Sequence, residues 1–255
     1  MIAEPEPVAD RLVLTGRVVS ASNAVLVGEL DGQRVVYKPV AGERPLRDFP
    51  DGTLAMREVA AYAVSQATGW DVVPATRLVD GPFGVGMLQH WVEADPDGTA
   101  VALVPADAVP EGMLHVLDGV DVDDDPVALV HEDTTALRRV AVLDLVMNNA
   151  DRKGGHVLER QDGHRHGIDH GLTMHVDPKL RTVLWGWVGE PFVDEEVAGV
   201  RRVLEALEGD LGMVLRALLA AGEVDALAAR CDTLVTRGTF PEPAVGLPAV
   251  PWPPF

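Results

Sequence analysis

A single cysteine, Cys231, excludes an intramolecular disulfide framework, and its Ala/Leu-rich surroundings suit a small core side chain. No run of 18 or more apolar residues occurs, so no segment is expected to cross a bilayer as a helix. Positive charge is scarce: 21 Lys and Arg stand against 40 Asp and Glu, a formal net charge of −19. A chain that neutralises nucleic-acid phosphates needs a basic face, and anionic membranes attract basic segments. Neither nucleic acid nor a stable membrane contact is therefore expected. The opening MIAEPEPVADR places acids and prolines where a secretory signal needs a basic and then an apolar region, so the expected address is the cytoplasm. The remaining composition, 47% hydrophobic and 24% charged over 255 positions, supports a real core in one large domain or two lobes sharing a cleft.

Residues 1–93 read as a small α+β lobe. RLVLTGRVVS, AVLVGEL and RVVYKPV are β-branched runs, and Asp31-Gly32 is a hairpin turn between the last two. TLAMREVAAYAVSQATG predicts a helix with Thr53 as N-cap and Gly69 as stop. Residues 71–93 return to a strand pair around Asp80-Gly81. Residues 94–255 then read as mainly helical. Residues 93–133 hold twelve acids and no Lys or Arg, which reads as a solvated segment; its cluster Asp121, Asp123, Asp124 and Asp125 lacks the Gly and closing Glu of an EF-hand loop. TTALRRVAVLDLVMNNA predicts an amphipathic helix capped by Thr134 or Thr135, and residues 194–236 contain two more helical runs. From about residue 239 the tail is Pro-rich and extended, either an ordered strap or an arm for a partner.

The chemistry concentrates in NNADRKGGHVLERQDGHRHGIDHGL, residues 148–172. Asp151 follows a helix where the chain turns back, and HVLER and RHGID read as strands joined by Asp162-Gly163. Such a hairpin brings His156 near Asp169, with Asp151 beside both. Two carboxylates and a nitrogen ligand at one hairpin mouth suit phosphoryl transfer: one acid orients the acceptor hydroxyl, and the other groups hold the metal that neutralises phosphate charge.

Asp-Arg-x₃-His, a strand pair and then Ile-Asp-His-Gly resembles the catalytic and metal-binding loops of the phosphatidylinositol 3-/4-kinase-like superfamily of atypical kinases. The likeness is to its short actinobacterial branch, and more distantly to HipA-type kinases. In that pattern Asp-Arg-x-x-x-Asn precedes an Asp-x-Gly metal motif. The resemblance implies that Asp151 is the catalytic acid, that Asp169 binds metal, and that His156 stands where the second metal ligand is usually Asn. It further implies that Lys38, ending the strand VVYKP, contacts ATP phosphates and that Glu58 pairs with it. Gln89, His90, Trp91 and Val92 match the hinge that holds adenine, and Ser20, Ala21, Ser22 and Asn23 the loop covering the phosphates. Arg152 is expected to brace the catalytic loop through a buried ion pair, and Lys153 to touch the transferring phosphate or face solvent. The implied fold is a two-lobed, protein-kinase-like α+β architecture.

The implied activity is an ATP-dependent phosphotransferase using magnesium or manganese. His156 departs from the pattern in offering nitrogen, which suits manganese or zinc better than magnesium. LTMHVDPKLRTVLWGWVGEPF, residues 172–192, occupies the place of the acceptor segment. Its cations Lys179 and Arg181 are few for a phosphoinositide head group, so a protein hydroxyl, on this chain or another, or a small metabolite is the expected acceptor. Trp185 and Trp187 there are expected to pack. Two other classes stand beside this one. A nucleotide-binding pseudokinase would keep the fold without fast transfer. A zinc hydrolase would gather His164, His166, His170 and His175, although strand alternation points His164 and His166 away from Asp169.

Overall fold

The computed structural model describes residues 4–18 and 23–255. Ser20 and Ser22 of the expected phosphate-covering loop lie outside the described residues; Asn23 lies within them. The chain is α+β, with a β-rich N-terminal part and a mainly helical C-terminal part.

Six strands form the first sheet: β1 (Glu6–Pro7), β2 (Val13–Arg17), β3 (Leu26–Leu30), β4 (Gln33–Pro39), β5 (Thr76–Gly81) and β6 (Gly84–His90), in the order β1-β5-β6-β4-β3-β2. All neighbours are antiparallel except β1 with β5. Asp31 and Gly32 both adopt positive φ, 52° and 80°, the conformation that a two-residue hairpin between β3 and β4 requires. The β5–β6 turn is Pro82-Phe83 rather than Asp80-Gly81, because Gly81 pairs directly with Gly84. Alternation along β4 sends Val35 and Tyr37 into a small core with Leu30, Val79 and Leu88, and leaves Lys38 on the opposite face. Between β4 and β5 runs α1 (Leu54–Thr68), closed by Gly69 in the left-handed conformation, φ 75°.

The acidic stretch is not a loop. It folds into a second antiparallel sheet of β7 (Val101–Pro105), β8 (Met113–Val120) and β9 (Pro126–Glu132), ordered β7-β9-β8. Buried Ala128, Leu129, Val130 and His131 of β9 anchor it. Most of the acids lie outside the strands, as in the β8–β9 turn, where Asp121 Oδ1 accepts from the amides of Asp123 (2.9 Å) and Asp125 (3.0 Å). Among the described residues no group of three metal-ligating side chains converges anywhere. No helix among them is long and apolar enough to cross a membrane.

Four more helices follow: α2 (Thr135–Met147), α3 (Asp194–Leu207), α4 (Asp210–Leu218) and α5 (Ala221–Arg237). The second predicted run splits at Leu219 and Ala220, both extended, and Glu223 caps the new start by accepting from Ala220 N at 3.0 Å. Ala60, Ala61 and Val64 of α1 belong to the same core as Val142 of α2, Val203 of α3, Leu215 of α4 and Leu227 and Cys231 of α5. Burial pushes the Cys231 thiol up to about 12, which leaves it inert. The helix encoded in the N-terminal part is thus packed into the C-terminal core. A buried ion pair fixes it there: Arg57 Nη2 meets Glu223 at 2.6 Å, and Arg57 Nη1 donates to Thr173 O at 2.7 Å.

Removing one partner of such a pair leaves an uncompensated buried charge. Glu223→Ala is expected to lower stability by about 3 kcal/mol, read as a shift in urea midpoint with an unchanged slope. A midpoint within error of wild type would show that α1 is not held by this contact.

Candidate functional site

Lys38 leaves β4 toward α1, and its ammonium donates to Glu58 Oε1 at 2.6 Å and Asp169 Oδ1 at 2.8 Å. Glu58 is buried, and its second oxygen accepts from the His170 amide at 2.9 Å. The start of α1 borders the same space. Thr53, although it precedes the helix, does not cap it; its hydroxyl donates to Pro50 O at 2.7 Å. Glu43 caps instead from a distance, accepting from Leu54 N at 3.0 Å and Ala55 N at 2.8 Å. Arg44 N donates to Asn23 Oδ1 at 2.9 Å, which ties the loop after β4 to the start of the chain leading into β3.

The acid loop is built by the end of α2. Asn148 turns the chain in the left-handed conformation, and Asn149 Oδ1 accepts from the Asp151 amide at 3.0 Å. A short 3-10 turn, Gly154–His156, leads into β10 (Val157–Glu159), which pairs with β11 (Arg165–Gly167). The hairpin returns Asp169 to His156, with Nε2 and Oδ2 3.3 Å apart. Asp169 itself has φ 61°, an uncommon backbone for a non-glycine residue and a place where strain is stored.

Arg152, fully buried, joins these loops. Nε and Nη2 hold Asp144 of α2 at 2.8 and 2.9 Å. Nη1 donates to the carbonyls of His156 (3.1 Å) and Ile168 (2.9 Å), and Nη2 also meets His170 Nε2 at 2.7 Å. His170 accepts there, because a guanidinium carries no acceptor. Burial holds its pKa well below the ordinary imidazole range. His170 therefore fixes loop conformation.

One cavity of about 380 Å³ gathers Lys38, Glu58, Asp151, Lys153, His156 and Asp169, with Asn23, Glu43 and Arg44 on its wall. Its electrostatics divide the acids. The Lys38 charge holds Asp169 well below the usual carboxylate range. Burial disfavours the Lys38 charge, but Asp169 and Glu58 outweigh it, so its pKa is raised. Burial raises Asp151, partly offset by Lys153, whose Nζ lies 3.9 Å away. Burial lowers His156 to about 4, so it is neutral at pH 7. Its Nδ1 lies 3.0 Å from Asp151 O, a carbonyl that can only accept, so the proton sits on Nδ1 and Nε2 turns a lone pair toward Asp169. Two acceptors facing one another at 3.3 Å suit a shared cation.

Gln89, His90, Trp91 and Val92 do not line this cavity. Two of them belong to β6, which is paired on both sides, and three of their donors are engaged: Gln89 Nε2 with Thr76 Oγ1 (2.9 Å), His90 N with Ala75 O (2.9 Å) and Trp91 N with Arg34 O (3.0 Å). The Trp91 ring carries the Arg34 guanidinium at 4.3 Å. His164 and His166 face the carbonyls of Asp71 and Val72, away from Asp169. Trp187 is buried and bonded to Asp133 Oδ1 (2.8 Å), and Trp185 Nε1 donates to Ala249 O (2.8 Å), so both pack. Lys179 is held by Asp48 at 3.0 Å, and Arg181 Nε by Ala150 O at 2.8 Å. Glu43 and Arg44 carry no sequence signal, since their positions depend on how the loop after β4 closes.

The fold and cavity together define an α+β protein with two ammoniums, a neutral imidazole and four carboxylates at one polar site. The chain belongs to the family of Protein Rv2133c from Mycobacterium tuberculosis: the two are 47% identical over 257 residues, covering 96% of this chain and 92% of that protein. It is also 29% identical over 179 residues to phosphatidylinositol 4-kinase gamma 4 of Oryza sativa subsp. japonica, and 27% identical over 186 residues to phosphatidylinositol 4-kinase gamma 7 of Arabidopsis thaliana. These matches cover 62% and 66% of this chain but only 27% of each plant protein. No protein-family model matches. Among solved structures, the Helicobacter pylori proinflammatory kinase CtkA aligns with TM-score 0.48 and 9% identity, over 92% of this chain and 95% of that one. The Rio2 kinase of Chaetomium thermophilum aligns with TM-score 0.34 and 11% identity, over 89% and 73%.

Asp144→Ala would strand the buried Arg152 charge. The expected loss is about 3 kcal/mol of unfolding free energy, measured by chemical denaturation; an unchanged midpoint would show that the ion pair is dispensable.

Proposed function

We propose that this chain is an ATP-dependent phosphotransferase of the phosphatidylinositol 3-/4-kinase-like type, with a protein hydroxyl, its own included, as acceptor. The observation that carries the reading is the Lys38 ammonium bridging Glu58 and Asp169 at 2.6 and 2.8 Å, in a cavity that also holds Asp151. The likeness to two plant phosphatidylinositol 4-kinases over 62% and 66% of this chain supports it.

Lys38 lies against the phosphates of ATP, and Glu58, itself held by the His170 amide, keeps that ammonium in place. Asp151 accepts a hydrogen bond from the acceptor hydroxyl and orients it for in-line attack. Lys153 stands beside Asp151, where charge develops on the transferring phosphoryl group. Asp169 and His156 Nε2 would hold a divalent metal, which when bound neutralises phosphate charge. A phosphoinositide head group would need several free cations near Asp151, whereas Lys179 is paired and Arg181 is bonded to backbone. The imidazole in place of Asn also keeps a nucleotide-binding pseudokinase as the second reading.

With γ-labelled ATP and manganese, wild type is expected to label itself or an added protein substrate. Asp151→Ala should slow transfer by about a thousandfold, and Asp169→Ala should abolish it. Labelling that persists unchanged in both variants would refute the site. Nucleotide binding with no transfer by wild type would select the pseudokinase.

Metal preference gives a separate check. Manganese is expected to support faster transfer than magnesium in wild type, and His156→Asn should move the preference toward magnesium. Equal rates with both metals in both proteins would remove His156 from the metal's ligands.

A further inference from the structure

The Pro-rich tail is a strap, and its last residues lie on the acid loop. Ala249 O accepts from Thr182 N at 3.0 Å and Trp185 Nε1 at 2.8 Å, Val250 packs against the main core, and Pro251 is buried. The chain then reaches Gly154, between cavity residues Lys153 and His156. The Gly154 amide donates to Pro254 O at 2.8 Å. The Phe255 ring covers Gly154 so closely that a Cβ there would sit 2.3 Å from its Cε1 atom.

The same short stretch anchors both partners. Arg152 N donates to Arg181 O at 3.0 Å and Val183 N to Arg152 O at 3.1 Å, while Thr182 between them holds the strap. Gly154 is buried and begins the 3-10 turn in which His156 N donates to Lys153 O at 3.1 Å. A buried amide without a partner is costly, so the strap fixes the first residue of the turn that aims Lys153 and His156 into the cavity.

We propose that residues 249–255 are a positioning element of the site, holding the Lys153–His156 turn in its working geometry through Pro254 O and the Phe255 ring. This role rests on the phosphotransfer reading above. The strap touches neither ATP nor acceptor; it acts through the loop. Misplacement of reacting groups by an ångström is enough for a large rate loss.

The test uses the full chain. Phe255→Ala is expected to lower kcat by about tenfold while KM for ATP and the thermal midpoint stay near wild type; Phe255→Tyr should restore kcat. Gly154→Ala should also lower kcat, because its methyl collides with the ring. In the Phe255→Ala background the same methyl has room, so the double variant should be no slower than Phe255→Ala alone. Hydrogen exchange at the Gly154 amide should accelerate in Phe255→Ala. Unchanged kcat in Phe255→Ala, with or without faster exchange, overturns the positioning role, as does simple additivity of the two substitutions. A wild type that never transfers phosphate overturns the function and this role together. It is told apart from failure of the strap alone because exchange at Gly154 would still report the contact.

Discussion

The two acid-bearing loops of the cavity meet at one guanidinium. Arg152 has five N–H donors and uses all of them: two on the Asp144 carboxylate, one on His170 and one each on the carbonyls of His156 and Ile168. Lysine, a compact point charge with three donors, cannot reproduce that planar fork. The arrangement fixes the 151–156 loop, the 168–170 loop and α2 relative to one another. Asp144 pairs with its charge inside the buried cluster, and the field that still reaches the cavity favours the charged form of Asp151. The positions of the cavity acids therefore follow from a contact none of them makes.

Charge is spent unevenly in this chain. Only three of its 255 residues are lysine, and two of them, Lys38 and Lys153, line the cavity; the third, Lys179, ties the 172–192 segment to Asp48 in the loop before α1. Arginines serve the structural ion pairs: buried Arg57 and half-buried Arg138 and Arg165 close pairs between elements distant in sequence, and buried Arg152 closes one with Asp144 eight residues before it. In a protein of net charge −19, the cavity sets the cations Lys38, Arg44 and Lys153 among the carboxylates Glu43, Glu58, Asp151 and Asp169.

The local part of this plan is legible in the sequence. Lys38 ends an alternating strand, Glu58 lies in the next helix, and Asp151, His156 and Asp169 bracket a hairpin with its own turn signal, so each position is fixed by a neighbouring element. What could not be read is what long-range closure decides. The apolar alternation of VALVP, MLHVL and VALVH is masked by twelve acids, so a solvated segment is legible in the sequence but the three-stranded sheet within it is not. The break between α4 and α5 has no proline; Glu223 makes it, and that residue is also the partner of Arg57. Gln89 and His90 lie in β6 with Trp91 and Val92 after it, and none of the four lines the cavity. The cap of α1 comes from Glu43, outside any capping pattern.

The packing of α1 limits how such a site can be controlled. The Lys38–Glu58 contact depends on where α1 lies, and swinging that helix outward would expose Ala60, Ala61 and Val64 and break the Arg57–Glu223 pair. Each fully buried apolar side chain contributes about 1.5–3 kcal/mol for the larger aliphatics, and an orphaned buried charge adds several more. Against a total stability of about 5–15 kcal/mol for a typical domain, that motion approaches unfolding. The strand, helix and ion pair that set Lys38 are therefore one rigid assembly. Any adjustment of the cavity falls to the pieces held by a few hydrogen bonds each: the loop fixed by Glu43 and Asn23, and the 153–156 turn fixed by the strap.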